Sequence, residues 1–369
     1  MTIFPIIMAG GPGARLWPES RAACPKPFLP LLSDSRSFIR ATLDRLGDLA
    51  PPDARFVVVG KPYAKLVAEQ APELPKERVL LEPVGRDTAP CVAWAALEAL
   101  RVDEDSALLV LPSDHLIKPD EPFRATIRSA VELLAEEPDA LITLGVEPTF
   151  PSTVYGYIER GEPLPGERGY RVARFCEKPD AVKAAEFVAT GRFFWNAGIF
   201  VWKARVFLDL LQRFEPEFIP TLQIMRERID AARVQGKRPD DDPEFVSAFS
   251  NAKKISLDYA VLERAEKVFV LPASAFYWND LGSYQALEEL DRGESTLPNV
   301  VPNAASIAEN ARGNYVRTRR RGNLVVLVDV DDLLVVETDD VLLVSKKGSD
   351  QALKRIVNRL DGEGLAQFL

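Results

Sequence analysis

The sequence predicts an α/β protein, with a doubly wound, mainly parallel sheet over residues 1–295 and a small β domain with a terminal helix over residues 296–369. Three observations carry this expectation. Short runs along the first part of the chain are apolar throughout rather than alternating, as strands covered on both faces must be. Between several of them lie segments whose apolar residues recur at intervals of three and four, the period of a helix. After about residue 295 that alternation stops, and short runs rich in valine and leucine follow one another with turns between them.

Taken in order, "IFPIIMA" is the first strand-like run and ends in Gly10 and Gly11. "FVVV" (56–59), "ALLVL" (107–111), "ALITLGV" (140–146) and "KVFVLP" (267–272) are the next, and none approaches the roughly 18 apolar residues of a membrane span. "APCVAWAALEAL" and "PFRATIRSAVELLAEE" are the helical segments between them. In the late region "DDLLVV" and "DDVLLV" recur eight residues apart, which predicts stacked short strands. "SDQALKRIVNRL" predicts a last helix with Leu353, Ile356, Val357 and Leu360 on one face, Ser349 as its cap, and the small domain or a partner subunit beneath it. Arg319, Arg320 and Arg321 lead into Gly322–Asn323 and read as a solvated turn.

Composition narrows the function. A net charge of −9 argues against a general nucleic-acid binder, and 47% hydrophobic with 27% charged residues fits a globular chain with no membrane segment. The first residues lack the basic stretch and cleavage site of a signal peptide, so the expectation is a cytoplasmic protein. Cys24, Cys91 and Cys176 are scattered and odd in number, and read as ordinary small residues rather than a disulfide frame or a metal site. The single histidine, His115, excludes sites that need two. A reaction needing little acid–base help suits that inventory.

The loop "GGPGAR" follows the first strand, where Gly10, Gly11 and Gly13 let backbone N–H groups turn toward an anion, although a tight turn explains glycines equally well. Arg15 in the same loop and Lys26, held between prolines in "CPKPF", add a pair of cations suited to a polyphosphate. Polyphosphates come with a hard cation that takes carboxylate oxygens. Asp114 in "LPSDH" and Asp280 in "WNDLGS" stand where strand-like runs end, positions that an Asx turn and a helix cap would also explain. Gly85, Arg86, Asp87 and Thr88 in "EPVGRDTAP" open a helix whose free N–H groups suit a purine edge or a phosphate. Glu177 and Lys178 in "FCEKPD" pair a hydroxyl acceptor with a cation, as surface pairs also do, and Asn196 with Gly198 in "FFWNAGIFVW" suits a sugar ring.

In order along the chain, "MAGGPGARLWPESR", "PKPFLPL", "EPVGRDTAP", "LPSDH", "YGYIE", "FCEKPD", "WNAGIFVW", "LDYAVLE" and "WNDLGSY" resemble the mannose-1-phosphate guanylyltransferase family, the GDP-mannose pyrophosphorylases. The resemblance spans Met8 to Tyr284, with Tyr284 standing where the family often has tryptophan. It implies a Rossmann-like nucleotidyltransferase domain followed by a small domain resembling a left-handed β-helix. It also implies GMP transfer from GTP to mannose 1-phosphate with release of pyrophosphate, a Mg²⁺ cofactor, a homodimer, and a form without the isomerase domain of bifunctional relatives. By the same resemblance Gly10, Gly11, Gly13, Arg15 and Lys26 hold the triphosphate and Asp114 and Asp280 the metal. Glu82 to Thr88 lie against guanine, Lys178 binds the sugar phosphate, and Gly156, Glu177 and Asn196 lie near mannose. Two other readings stay open: a sister enzyme with another base or sugar, and a silent sugar-nucleotide-binding regulatory subunit.

Overall fold

The structure, a computed structural model, describes residues 1–11, 13–31, 35–320 and 322–369. Packing divides the chain into two compact units. Met1–Gly10, Thr42–Ser113 and Ile117–Trp278 make the first, and Gly11–Ala41, Asp114–Leu116 and Asn279–Leu369 the second. The change of pattern at residue 295 is one division of the chain and packing is another, because the loop after the first strand folds with the late segment.

The first unit is built on β1 (Ile3–Ala9), β2 (Phe56–Gly60), β3 (Val79–Glu82), β4 (Ala107–Pro112), β6 (Leu141–Val146), β7 (Tyr157–Pro163), β8 (Tyr170–Cys176), β9 (Phe193–Lys203) and β10 (Val268–Pro272), with the short β5 (Leu116–Lys118) outside the sheet. The sheet order is β3-β2-β1-β4-β9-β6-β10-β8-β7. β1 is parallel to both β2 and β4, β2 to β3, and β6 to β10. The expectation of a mainly parallel sheet needs correction: β9 runs antiparallel to both β4 and β6, and β7 and β8 are antiparallel to each other and to β9 and β10 respectively. The reason is physical. A strand covered on both faces is apolar throughout whichever way it runs, so "FFWNAGIFVWK" carries no sign of its direction.

The carboxyl ends of the parallel strands β1, β3 and β4 deliver Gly10, Glu82 and Ser113, where open α/β sheets bind ligands. The helix Thr88–Val102 is buried along most of its length, and its Trp94 ring packs with its centroid 4.7 Å from that of Phe245 and 5.7 Å from that of Phe249. Its one buried acid, Glu98, is satisfied by Arg233 at 2.5 Å.

The second unit carries β12 (Ala305–Glu309), β13 (Tyr315–Thr318), β14 (Leu324–Val328), β15 (Leu333–Glu337) and β16 (Leu342–Lys346), after the short β11 (Tyr277–Asn279). β12 is parallel to β14 and β13 to β15, each pair in a register of nineteen residues, Ala305 on Leu324 and Tyr315 on Leu334. The true stacking repeat is therefore this one. "DDLLVV" and "DDVLLV" are instead the two arms of an antiparallel pair, β15 and β16, because eight residues suffice for a turn and not for a coil. Asn314, fully buried, ties successive turns by donating to Val330 O and accepting from Leu333 N.

The last helix, Asp350–Leu360, buries Leu353, Val357 and Leu360 in a core with Leu16, Trp17, Tyr315 and Val336. Ile356 of the expected stripe points outward, and Ser349 stands at the cap position without a side-chain capping bond. Arg321 lies outside the described residues. Among those described, all three cysteines are free and no helix is long and apolar enough to cross a membrane.

Candidate active site

In the second unit, Gly11 (φ +99°) and Gly13 (φ +59°) adopt the left-handed conformation that glycine alone takes without strain. A Cβ on Gly13 would also lie 2.7 Å from Ser20 Oγ and 3.0 Å from Lys26 Cβ, so the loop closes only with glycine there. A Cβ on Gly11 would meet nothing within 4 Å, leaving open space over its backbone.

Lys26, 4% exposed, donates to Asp114 Oδ2 at 2.8 Å and to the main-chain carbonyl of Asp280, and its ammonium stands 5.2 Å from the Phe38 ring centroid. One lysine thus gathers the two predicted metal aspartates, although Asp114 and Asp280 are 166 positions apart. Desolvation opposes charge on Asp114, but the Lys26 ammonium, His115 and the Lys26 hydrogen bond outweigh it and hold its carboxyl below the ordinary value. Arg15 joins through Gly282. A Cβ there would fall 2.6 Å from Asp280 Oδ2 and 2.8 Å from a terminal guanidinium nitrogen of Arg15.

That geometry gives a direct expectation. In Gly282→Ala both displaced atoms are ends of flexible side chains, so the fold accommodates the methyl cheaply while Arg15 and Asp280 move. kcat should fall roughly tenfold to a hundredfold, the scale of a misplaced catalytic group, with the melting midpoint nearly unchanged. Unaltered turnover would remove Gly282 from the site.

The first unit gathers the other candidates. β9 bulges between Asn196 and Phe200, where Gly198 takes φ +68°. The glycine is explained by the bulge, a device that re-aims side chains. Asn196 Oδ1 accepts from Thr143 Oγ1 at 3.2 Å and Gly198 N at 3.1 Å, and its Nδ2 donates to Asp258 Oδ1 at 3.0 Å. Burial, reinforced by the charge of Glu177, pushes Asp258 up to about 7. Glu177 pairs with Lys178, and a Cβ on Gly156 would collide with Glu177 Oε2, so glycine leaves room for that carboxylate. Lys178 itself sits at φ +48°, a conformation that costs a non-glycine residue energy and marks a constrained site. Burial works against its charge, but the Glu177 hydrogen bond and charge raise its pKa.

The segment 82–88 lies in the same unit. Burial pushes Glu82 up to about 7, and its Oε1 finds no hydrogen-bond partner among the described residues. Gly85 has nothing within 4 Å of where a Cβ would stand. Arg86 donates to Ser250 O, Asp87 accepts from Thr88 N at 2.8 Å, and Thr88 Oγ1 accepts from Leu257 N at 2.9 Å, beside Asp258. Sequence reasoning missed the roles of Asp258, Thr143 and Gly282. A lone acid in "LDYAVL" and a glycine two residues past Asp280 were the available signals.

The nucleotidyl transferase family matches residues 4–295. Over 373 residues the chain is 35% identical to the mannose-1-phosphate guanylyltransferase of Escherichia coli K12, covering 98% of this chain and 74% of that protein. This chain is a nucleotidyl transferase of the mannose-1-phosphate guanylyltransferase family. The xanthan biosynthesis protein XanB of Xanthomonas campestris pv. campestris is 37% identical over 368 residues, covering 99% of this chain and 74% of that one. A crystal structure of a mannose-1-phosphate geranyltransferase from Thermus thermophilus superposes with a TM-score of 0.82 at 34% identity, covering 98% of this chain and all of that one. For a nucleotidyl transferase the donor set of the second unit is chemically apt, since the carboxylates of Asp114 and Asp280 would offer a cation hard oxygen ligands. No group of three or more His, Cys, Asp or Glu is assembled among the described residues. A cation held by two carboxylates would complete its shell with phosphate oxygens and water, the habit of Mg²⁺ at polyphosphates.

Proposed function

We propose that the chain transfers GMP from GTP to mannose 1-phosphate, giving GDP-mannose and pyrophosphate. The observation that carries this reading is the near full-length likeness to guanylyltransferases, in a chain that keeps Lys26 against Asp114 and Lys178 against Glu177. Retention of these charged groups with Arg15 and Asp280 argues for a catalyst rather than a silent regulatory subunit.

Mannose 1-phosphate is already anionic at neutral pH, so its oxygen attacks the α-phosphorus of GTP without a strong base, and pyrophosphate leaves in line. The protein's task is positioning and charge. Gly10, Gly11 and Gly13 offer backbone N–H groups to the triphosphate, and Arg15 and Lys26 offset its charge. Lys178 holds the phosphate of the sugar. Gly156, Glu177 and Asn196 meet mannose, with Asp258 and Thr143 fixing the Asn196 amide. Asp114 and Asp280 would hold Mg²⁺, which when bound supplies positive charge to the phosphates. Glu82, Gly85, Arg86, Asp87 and Thr88 line the guanine.

Residues 1–295 act as the nucleotidyltransferase domain, a reading supported by the family match over 4–295. Residues 296–369 form the small β domain. Its nineteen-residue parallel register supports the likeness to a left-handed β-helix. Leu324, Val326, Val328 and Ile307, each more than half exposed, make an apolar face on β12 and β14 that supports a homodimer.

The test is pyrophosphate release across a panel of nucleoside triphosphates and sugar 1-phosphates. GTP with mannose 1-phosphate should give the highest kcat/KM, and glucose 1-phosphate should trail by a smaller factor than a wrong base, since one axial hydroxyl separates the sugars. Efficient use of UTP or dTTP with glucose 1-phosphate, and little of the expected pair, would make the chain a sister enzyme.

A further inference from the structure

Arg15 sits in a short helical turn, Ala14–Leu16, that hardly supports itself. The late segment holds it from several sides within the second unit. Tyr284 donates its hydroxyl to Leu16 O at 2.9 Å. Trp17 Nε1 donates to Phe368 O at 2.6 Å, and Arg21 reaches the same carbonyl at 3.0 Å while its other arm pairs with Asp340 at 2.7 Å. Glu19 is gripped by Arg317 at 3.3 Å, both side chains being buried. Arg317 also bonds Asp291 and Tyr315, and Tyr315 donates to Asp291 at 2.6 Å. Seen along the chain, every residue from Leu16 to Glu19 except proline, together with Arg21, is tied to a residue beyond 280.

We propose that the segment after residue 295 is a positioning device for the triphosphate loop, with Arg317 on Glu19 and Phe368 O on Trp17 and Arg21 as the contacts that aim Arg15. The proposal rests on the functional reading above. A turn of three residues has too few internal hydrogen bonds to fix its own orientation, so its position is set by what it is bonded to. Arg317 is the main hold because it is buried, bonded to three partners, and inserted between the loop acid Glu19 and the pair Asp291 and Tyr315. The cation that meets substrate is then aimed by residues that never touch it.

The test uses the full chain with Arg317→Met, Arg317→Lys and Trp17→Phe. Trp17→Phe keeps an aromatic side chain while removing the N–H donor and the five-membered half of the indole, a smaller change than Arg317→Met, so it stays informative if Arg317→Met fails to fold. Four readouts are taken: the melting midpoint, amide hydrogen exchange over residues 13–21, KM for GTP, and KM for mannose 1-phosphate. Arg317→Met should speed exchange in the loop and lower kcat/KM for GTP roughly a hundredfold, with about tenfold for Trp17→Phe, while KM for mannose 1-phosphate holds. Arg317→Lys, keeping the charge with one arm, should recover part of the loss. Unchanged loop exchange and GTP kinetics in folded variants would overturn the proposal, and so would an equal rise in both KM values. Exchange reports on the loop without any turnover. If the loop loosens as expected but wild type makes no pyrophosphate from GTP and mannose 1-phosphate, the functional reading fails and the mechanical one stands.

Discussion

Asp280→Asn should lower kcat by roughly 10²- to 10³-fold at saturating Mg²⁺, the loss seen when one preorganised electrostatic partner of a reacting phosphate or oxyanion is removed, and leave the melting midpoint close to wild type. The separation of the two effects follows from how Lys26 is held. Lys26 takes the main-chain carbonyl of Asp280, which asparagine retains, and the Gly282 N–H can still donate to the Oδ1 of asparagine, so the exchange removes the charge while keeping these two contacts. Asp114→Asn should cost as much in kcat but also in stability. Its carboxylate is the ionic partner of a lysine whose side chain is 5% exposed, and neutralising one member of such a pair leaves the other charge stranded. Comparing the two variants isolates charge at the metal site from charge at the ion pair. Below saturation the loss in each should be larger still, because the weakened site also binds Mg²⁺ less tightly. Near-normal turnover in both variants would sink the metal assignment.

How much of this was legible before any coordinates follows from what each signal depends on. The apolar runs that became β2, β4, β6 and β10 are local facts, as is the amphipathic last helix, and reading them required nothing distant. β9 is equally apolar, yet its direction depends on β4 and β6, which lie far off in sequence. β7 and β8, with "ERGE" and "RVAR", carry too many charges to announce themselves as strands, because many of their side chains meet solvent although each strand is paired on both sides. At the site, residue types chosen for phosphate chemistry fell into two groups, one in each unit. Their supports did not show. The Lys26 contact to Asp114 spans 88 positions and the Asn196 contact to Asp258 spans 62, and no spacing rule connects such pairs. Arg317, two residues before the arginine run, is not among the residues singled out from the sequence. Its burial against Glu19 is a tertiary fact.

The base preference should centre on Glu82. A buried carboxyl with an unpartnered oxygen is costly, and the cost falls when a ligand brings donors to it. Guanine has two such donors on one edge, N1–H and N2–H. Adenine and the pyrimidines lack that pair, so with them the carboxyl stays unsatisfied, and discrimination up to about 10⁴-fold is within reach of polar sites of this kind. Glu82→Gln keeps the shape but presents an amide that cannot accept at both ends, so kcat/KM for GTP should fall by roughly ten- to a hundredfold, the scale of a charge-assisted hydrogen bond, while the low activity with ATP changes little. The pH dependence supplies an independent check. Free Glu82 titrates at about 7 because burial favours its neutral form, whereas a carboxylate accepting from guanine favours the charged form. Binding therefore releases a proton: GTP affinity should rise as pH climbs toward 7 and level off above it, and Glu82→Gln should flatten that slope. An affinity that stays level from pH 6 to 8 in wild type, or a variant that keeps both its slope and its GTP preference, would take Glu82 out of base recognition and leave the phosphate and metal assignments untouched.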